Sequence, residues 1–225
     1  MLISVHLAKT AGTSFAAALE SHFKQRLLRD YGDYPIDTPR LKRNAMAVLN
    51  NSKVLLNGLE HVDCIHGHFL PVKYWGLARR RPATFVTWMR EPVERLVSFY
   101  HFWRRNYDPT GGKALPNRVV EENWSLERFC LAPELRNYYS QFLWRFPFER
   151  FAFVGITECF EEDLDYFGRT FLGVRLPPLR ENANPSQTGE RYELDPEFRR
   201  RVEKYHAQDL QLYLQALARR NARTF

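Results

Sequence analysis

Residues 2–20 of the chain read LISVHLAKTAGTSFAAALE. Residues 2–7 form a short β-rich run, and residues 15–20 are strong helix formers. A polar loop of small residues separates the two runs. The stretch therefore predicts a strand, a loop and a helix in direct succession.

Two further apolar runs repeat this arrangement along the chain. Residues 83–89 predict a second strand, and the proline at position 92 suits the first turn of a helix over residues 93–103. Residues 151–156 predict a third strand, followed by a helix that extends to position 171. Strands that alternate with helices predict a parallel sheet covered on both faces.

The remaining segments fit around these elements. Residues 31–57 are polar and residues 108–117 are rich in glycine and proline, which predicts loops. Residues 196–220 predict one amphipathic, arginine-rich helix. The chain contains no internal repeat, so we expect residues 1–225 to form a single α/β domain with a short parallel sheet flanked by helices.

Composition and charge narrow the class of protein. The 225 residues are 44% hydrophobic and carry a net charge of +7, from 33 basic and 26 acidic residues. A surface of this sign attracts polyanions, among them nucleic acids, anionic polysaccharides, anionic membranes and multiply phosphorylated nucleotides.

The three cysteines are widely spaced, which predicts buried free thiols and not a zinc or disulfide framework. The sequence shows neither a membrane span nor a signal peptide, so we expect a cytoplasmic protein.

The loop between the first strand and its helix has the features of an anion site. Free backbone N–H groups and the helix dipole favour negative charge at a helix N-terminus. Gly12 allows close approach of an anion, Lys9 adds a mobile cation, and hydroxyl donors come from Thr10, Thr13 and Ser14. The alternative is an ordinary capped helix with a surface lysine, which accounts for one of the hydroxyls. The loop is not a Walker A motif, because the lysine precedes the glycine.

A second candidate anion site follows the second strand. Arg90 lies at the carboxyl end of that strand, where α/β sheets bind ligands, and its planar guanidinium matches phosphate oxygens. Ser98 lies two helical turns further along and can add a hydroxyl. The alternative is that Arg90 pairs with Glu94 while Ser98 faces water. These residues alone leave both possibilities open.

Together, the two segments resemble the nucleotide-binding motifs of sulfotransferases that use 3′-phosphoadenosine 5′-phosphosulfate (PAPS). Lys-Thr-x-Gly-Thr-Ser-Phe resembles their 5′-phosphosulfate loop, and Arg-x-Pro-x-x-Arg-x-x-Ser-x-Tyr resembles their 3′-phosphate site. The resemblance implies a P-loop-like nucleotide-binding fold, PAPS as donor and PAP as product. It assigns the leaving 5′-phosphate to Lys9, Thr10, Gly12, Thr13 and Ser14, and the 3′-phosphate to Arg90 and Ser98.

A pair of histidines lies between these motifs. His66 and His68 belong to the run DCIHGHFLP at residues 63–71, and on a strand both would point to one face. A neutral imidazole can accept the proton of an acceptor hydroxyl. Two alternatives are a metal site, for which the sequence offers no evident third ligand, and two structural histidines near the core.

The His-Gly-His motif narrows the resemblance to the uronosyl 2-O-sulfotransferases of heparan and dermatan sulfate. This resemblance implies that His68 is the catalytic base and that His66 contacts the substrate or the transition state. The run FVGITE at residues 153–158 resembles the same group and implies adenine contacts from Ile156 and Thr157. The acceptor that the resemblance implies is an anionic polysaccharide.

The polar run ENANPSQTG at residues 181–189 predicts a loop that is either a functional lid or an inert connector. Its position is similar to family loops that close over the nucleotide, which makes Ser186 and Thr188 candidate donor contacts.

The sequence as a whole thus predicts an O-sulfotransferase that modifies a carbohydrate, without a metal ion and without nucleic acid as its biological partner. Other acceptors stay open, among them a protein tyrosine and a small alcohol. A non-enzymatic binder of polyanions or RNA would use the arginine runs but leaves Lys9 and the histidines without a purpose. An ATP-dependent kinase would need a Walker A loop and a Mg²⁺-binding carboxylate at a strand end, and the sequence shows neither.

Overall fold

The computed structural model describes residues 1–32, 36, 38–56, 59–111, 114–177 and 192–223. Its centre is a five-stranded sheet in which every pair of neighbouring strands is parallel, in the order β2-β3-β1-β4-β5. The strands are β1 (Leu2–Val5), β2 (Leu27–Arg29), β3 (Cys64–Gly67), β4 (Thr84–Met89) and β5 (Phe151–Ile156). The predicted fold class, a short parallel sheet flanked by helices, is confirmed.

α-Helices follow four of the five strands, whereas β3 is followed by short 3₁₀ turns that lead into β4. Within the described ranges the α-helices are α1 (Gly12–Phe23), α2 (Arg40–Leu56), α3 (Pro92–Arg105), α4 (Ala114–Glu121), α5 (Leu126–Cys130), α6 (Tyr138–Phe142), α7 (Phe160–Phe167), α8 (Pro196–Tyr205) and α9 (Ala207–Asn221). The start of α3 shows the local cause: Pro92 occupies the first turn, and the Glu91 carboxylate accepts hydrogen bonds from the amides of Val93 and Glu94. None of the described helices is both long enough and apolar enough to cross a bilayer.

The two faces of the sheet are buried in separate cores. Alternate residues of a strand point to opposite faces, so Phe85 and Met89 of β4 join one core while Val86 and Trp88 join the other. The first core is packed against α6 and α9, and the second against α1 and α7. Burial on both faces is typical of parallel sheets and explains the uninterrupted apolar runs in the sequence.

The carboxyl end of every strand lies at the same edge of the sheet, because all five strands are parallel. The residues that immediately follow the strands therefore line one edge, and they include His6, Asp30, His68, Arg90 and Thr157. This edge collects the sequence motifs that are far apart along the chain.

The C-terminal prediction is wrong in one respect. The single helix expected over residues 196–220 is divided into α8 and α9 at His206. The His206 side chain is buried and bridges two backbone groups, since Nδ1 accepts from the Asn137 amide and Nε2 donates to the Cys130 carbonyl. We attribute the interruption of the helix at His206 to these two hydrogen bonds, which the helical periodicity of the sequence does not reveal.

A second difference concerns the polar segment 31–57. This segment was expected to be a loop, but it contains α2.

Candidate active site at the carboxyl edge of the sheet

The loop after β1 has a strained backbone. Lys9 and Ala11 have positive φ angles of 68° and 59°, in the left-handed region that residues with a Cβ atom rarely adopt. Ala11 is the N-cap of α1 and forms no side-chain cap. The first-turn N–H groups of α1 therefore point out of the helix without a side-chain acceptor at the cap, as an anion site requires.

The three hydroxyl side chains predicted to bind an anion differ in their exposure to solvent. Thr13 is exposed, whereas Ser14 is buried. Thr10 is also buried, and its hydroxyl donates to the Leu7 carbonyl at 2.7 Å. Since a hydroxyl has one proton to donate, the Thr10 side chain in this arrangement shapes the loop. Its role as a phosphate donor stays a prediction.

Lys9 lies among like charges. Burial, followed by the charges of the neighbouring Arg90 and Arg105, lowers the pKa of its ammonium group from 10.5 to about 8. Its Nζ atom lies 4.3 Å from the ring centroid of Phe102, within the range of a cation–π contact. Three cationic side chains thus meet at the loop, an arrangement that favours a multiply charged anion.

Arg90 is held through its backbone. The Tyr139 hydroxyl donates to the Arg90 carbonyl at 2.6 Å, and the Arg90 amide donates to the same hydroxyl oxygen at 3.1 Å. The guanidinium carbon lies 5.9 Å from the ring centroid of Tyr192. The Glu94 carboxylate, the partner considered for Arg90 from the sequence, accepts from Arg199 at 2.5 Å and from the Tyr192 amide at 2.9 Å. Ser98 is buried on α3.

His68 has a defined tautomer. Its Nδ1 atom lies 2.6 Å from the carbonyl oxygen of His6. A carbonyl oxygen only accepts hydrogen bonds, so Nδ1 carries the proton and, in the neutral ring, Nε2 carries the lone pair. A half-buried imidazole oriented in this way by the backbone has the arrangement of a general base.

His66 lies deeper than its sequence neighbour. Only 1% of the residue is exposed, and Nδ1 lies 2.8 Å from the hydroxyl oxygen of Ser4, its register partner on β1. Burial, followed by the charges of His68 and Arg29, lowers the pKa of His66 to about 3. Its Nε2 atom is buried without a hydrogen-bond partner in the described part of the chain. His66 is thus a neutral, buried ring, and its contact with substrate stays a prediction.

Gly67 separates the two histidines because a side chain would not fit there. A Cβ atom at this position would lie 1.6 Å from the backbone oxygen of Asp30. Asp30 follows β2, and its carboxylate accepts from Tyr74 at 2.7 Å and forms an ion pair with Lys73 at 2.6 Å. These contacts fix the chain immediately before Tyr31.

Sequence reasoning missed two residues of this cluster, His6 and Tyr31. The His6 ring is stacked on His68 at 4.2 Å between centroids and on His66 at 5.2 Å. The Tyr31 ring meets His68 edge to face at 5.1 Å. One signal was present in the sequence: His6 directly follows β1, next to the loop that contains Lys9. Only the pairing of β1 with β3 reveals that it lies beside His68.

The proposed adenine contacts lie at the end of β5. Ile156 is fully buried in the core, and its amide donates to Asp163 at 2.7 Å. The Thr157 hydroxyl donates to the Met89 carbonyl at 3.0 Å, one residue before Arg90. Because the Ile156 side chain is buried in the core, only the backbone of this residue could contact an adenine ring. The adenine contacts at Ile156 and Thr157 stay predictions. Ser186 and Thr188 lie outside the described residues.

The three stacked histidines do not form a metal site. Across the described ranges, no group of three or more histidine, cysteine or carboxylate residues is arranged to bind a metal ion. What the edge offers instead is a cationic loop next to an oriented imidazole base. This combination is suited to the transfer of a group from an anionic donor to a hydroxyl.

Comparison with known proteins finds matches among solved structures. No protein-family model and no curated protein sequence matches the chain. Among solved structures, the chain is similar to a sulfotransferase from Alicyclobacillus acidocaldarius, with a TM-score of 0.49 and 16% sequence identity over 96% of this chain and 94% of the other.

Proposed function

We propose that this protein is a sulfotransferase that transfers the sulfuryl group of PAPS to a hydroxyl of an anionic carbohydrate. The observation that carries the proposal is the meeting of two motifs that are separate in the sequence. Lys9 and Arg90 are close enough for the guanidinium to lower the pKa of the ammonium group. A donor with phosphate groups on two carbons of one ribose needs cationic groups from two segments, and the segments that follow β1 and β4 supply them at the same edge of the sheet.

The proposed reaction assigns a task to each part of the edge. PAPS supplies the sulfuryl group: its sulfur–oxygen bond to the 5′-phosphate breaks, a bond from sulfur to the acceptor oxygen forms, and PAP leaves. His68 Nε2 takes the acceptor proton, because Nδ1 already donates to the His6 carbonyl. Lys9 and the N–H groups of α1 stabilise charge on the leaving phosphate. Arg90 and Ser98 bind the 3′-phosphate and so select PAPS over ATP.

An anionic acceptor is supported by the charges on α3. Arg104 and Arg105 are exposed in its last turn, and Arg105 also acts on Lys9. Burial, followed by the charges of Arg105 and Arg104, lowers the pKa of the neighbouring His101, so the two arginines and not this ring carry the charge. A cationic rim of this kind raises the local concentration of an anionic acceptor such as a uronic-acid polymer.

Thermal unfolding with PAP tests the donor assignment directly. At about 100 times its dissociation constant, PAP should stabilise the protein by about 2.7 kcal/mol and raise the unfolding midpoint by several degrees. ATP and AMP should give smaller shifts. The variant Arg90→Ala should lose the PAP shift, whereas Arg201→Ala should keep it, since Arg201 is exposed and paired with Glu127. The absence of a PAP shift in a folded sample would contradict the proposal and favour a polyanion-binding protein.

A further inference from the structure

The side chain of His6 lies between the proposed base, His68, and the proposed PAPS-binding loop. On one side its ring is stacked on His68, with centroids 4.2 Å apart and planes inclined by 24°. On the other side it lies against the loop between β1 and α1 that contains Lys9, which we call the donor loop. A Cβ atom at Gly12, the first residue of α1, would be 1.8 Å from His6 Nε2 and 1.9 Å from Cδ2. The ring therefore fills the space between the base and the first residue of α1.

The backbone of His6 is as firmly placed as its ring. The amide donates to the Gly67 carbonyl at 2.8 Å and so continues the pairing of β1 with β3. The carbonyl accepts from His68 Nδ1 at 2.6 Å. Any substitution at position 6 keeps this carbonyl, so a variant isolates the contribution of the ring from that of the backbone.

Packing alone does not explain why position 6 is a histidine. His6 Nδ1 is buried without a hydrogen-bond partner in the described part of the chain, which costs stability that an apolar side chain would avoid. Burial lowers the pKa of His6 well below its ordinary value, with further lowering from His68, His66 and Lys9. The ring next to the base is thus neutral and does not repel the imidazolium that forms when His68 takes a proton.

We propose that His6 is a positioning residue whose neutral ring holds the His68 imidazole at a fixed distance from the donor loop. The inference rests on the proposed function and deepens it. In-line transfer requires the acceptor oxygen, the sulfur and the leaving oxygen to be aligned, and displacement of a catalytic group by about 1 Å costs on the order of a hundredfold in rate. A rigid aromatic ring between loop and base maintains this alignment.

The first variant to test is His6→Ala. We measure the dissociation constant of PAP by calorimetry and kcat from the release of PAP, with 2-O-desulfated heparin as acceptor and with water alone. We expect kcat to fall by about 10- to 100-fold while the PAP dissociation constant changes by less than about threefold. Wild-type kcat in this variant, or a parallel loss of kcat, PAP affinity and thermal midpoint, would overturn the proposal.

The pair Gly12→Ala and His6→Ala/Gly12→Ala provides the second test and does not depend on the acceptor. In Gly12→Ala the new methyl group collides with the His6 ring, so PAP affinity should fall by about tenfold or more. Removing the ring as well should restore PAP affinity but not kcat. If the double variant binds PAP no better than Gly12→Ala, the His6 ring does not lie against the donor loop and the proposal fails.

These outcomes also separate the inference from the proposed function. A wild-type protein that binds no PAP contradicts the sulfotransferase assignment itself. A wild-type protein that binds PAP and turns over, together with variants that behave like it, contradicts only the role of His6. His6→Asn, a smaller polar substitution, provides the same comparison if His6→Ala does not fold.

Discussion

Two regions of the molecule bury ionisable groups in opposite ways. Asp163 on α7 is fully buried, and its carboxylate accepts from the Ile156 amide and from both Arg220 and Arg223. Lys9, in contrast, is half-buried near two arginines, and burial followed by their charges lowers the pKa of its ammonium group. Paired charges such as those at Asp163 hold elements together. Like charges brought together oppose folding, and they persist where a ligand of opposite sign is bound.

At the edge of the sheet that contains Lys9, substitutions should change activity more than stability. The largest effect is expected at His68. Replacing it with glutamine removes the proposed base, so kcat should fall by about 10²- to 10⁴-fold while PAP still raises the unfolding midpoint as in the wild type. Steady-state turnover and thermal unfolding with PAP measure the two properties separately. His61→Gln serves as the matched control, because His61 is exposed. Full turnover by His68→Gln would show that the base assignment is wrong.

The next largest effect concerns stability at the paired cluster. Asp163→Ala leaves Arg220 and Arg223 without their shared carboxylate and should lower the free energy of unfolding by about 3 kcal/mol. Denaturant unfolding measures this loss. The matched control is Asp165→Ala, which removes a surface ion pair with Arg169 and should cost about 0.5 kcal/mol or less. Equal losses in the two variants would remove the distinction between buried and surface pairing.

The smallest effect, and the most specific, is expected at Lys9. Lys9→Met should raise the unfolding midpoint of the ligand-free protein at pH 7, because it removes a cation that the fold disfavours. Since Lys9 is half-buried, solvent screening limits the gain to about 1 kcal/mol, or about 2–4 °C. The same variant should bind PAP more weakly. Lys204→Met, at an exposed position on α8, should change neither property.

The pH dependence of this gain follows from the direction of the pKa shift. The folded protein releases the Lys9 proton near pH 8, whereas the unfolded chain releases it near the ordinary value of 10.5. The cost of the buried cation is therefore complete below about pH 8 and disappears as the pH rises towards 10.5. Thermal midpoints of wild type and Lys9→Met should converge across this window. A constant difference from pH 7 to pH 10 would show that the gain comes from packing and not from charge.

Much of the fold was predictable from local sequence. The strand at residues 151–156 agrees with β5, and the proline at position 92 marks the first turn of α3 as expected. These signals are strong because apolar runs and helix caps act over a few residues. β2 was missed because it has three residues and lies at the edge of the sheet. α2 was missed because its polar surface obscured the helical period.

The candidate site was predictable only in part. Lys9, Arg90 and His68 could be proposed because each belongs to a motif of recognisable order, and the structure places the segments that contain them at one edge of the sheet. His6 and Tyr31 were missed because their importance comes from neighbours far away in the sequence, across strand pairings that no local pattern encodes. The burial of His66 was one of the alternatives that the sequence left open, and the pairing of His66 with Ser4 of β1 decides it.

The sequence by itself thus determined which chemical groups are available: a loop of glycine, lysine and hydroxyl residues at a helix start, an arginine after a strand, and two histidines. The tertiary structure alone decided which of them meet. Parallel pairing brings the ends of β1, β3 and β4 to one edge, where the His6 ring lies between His68 and Gly12 and Arg90 acts on Lys9. The physical reason is that pKa shifts, ring stacking and burial depend on distances in space, which a linear pattern does not contain.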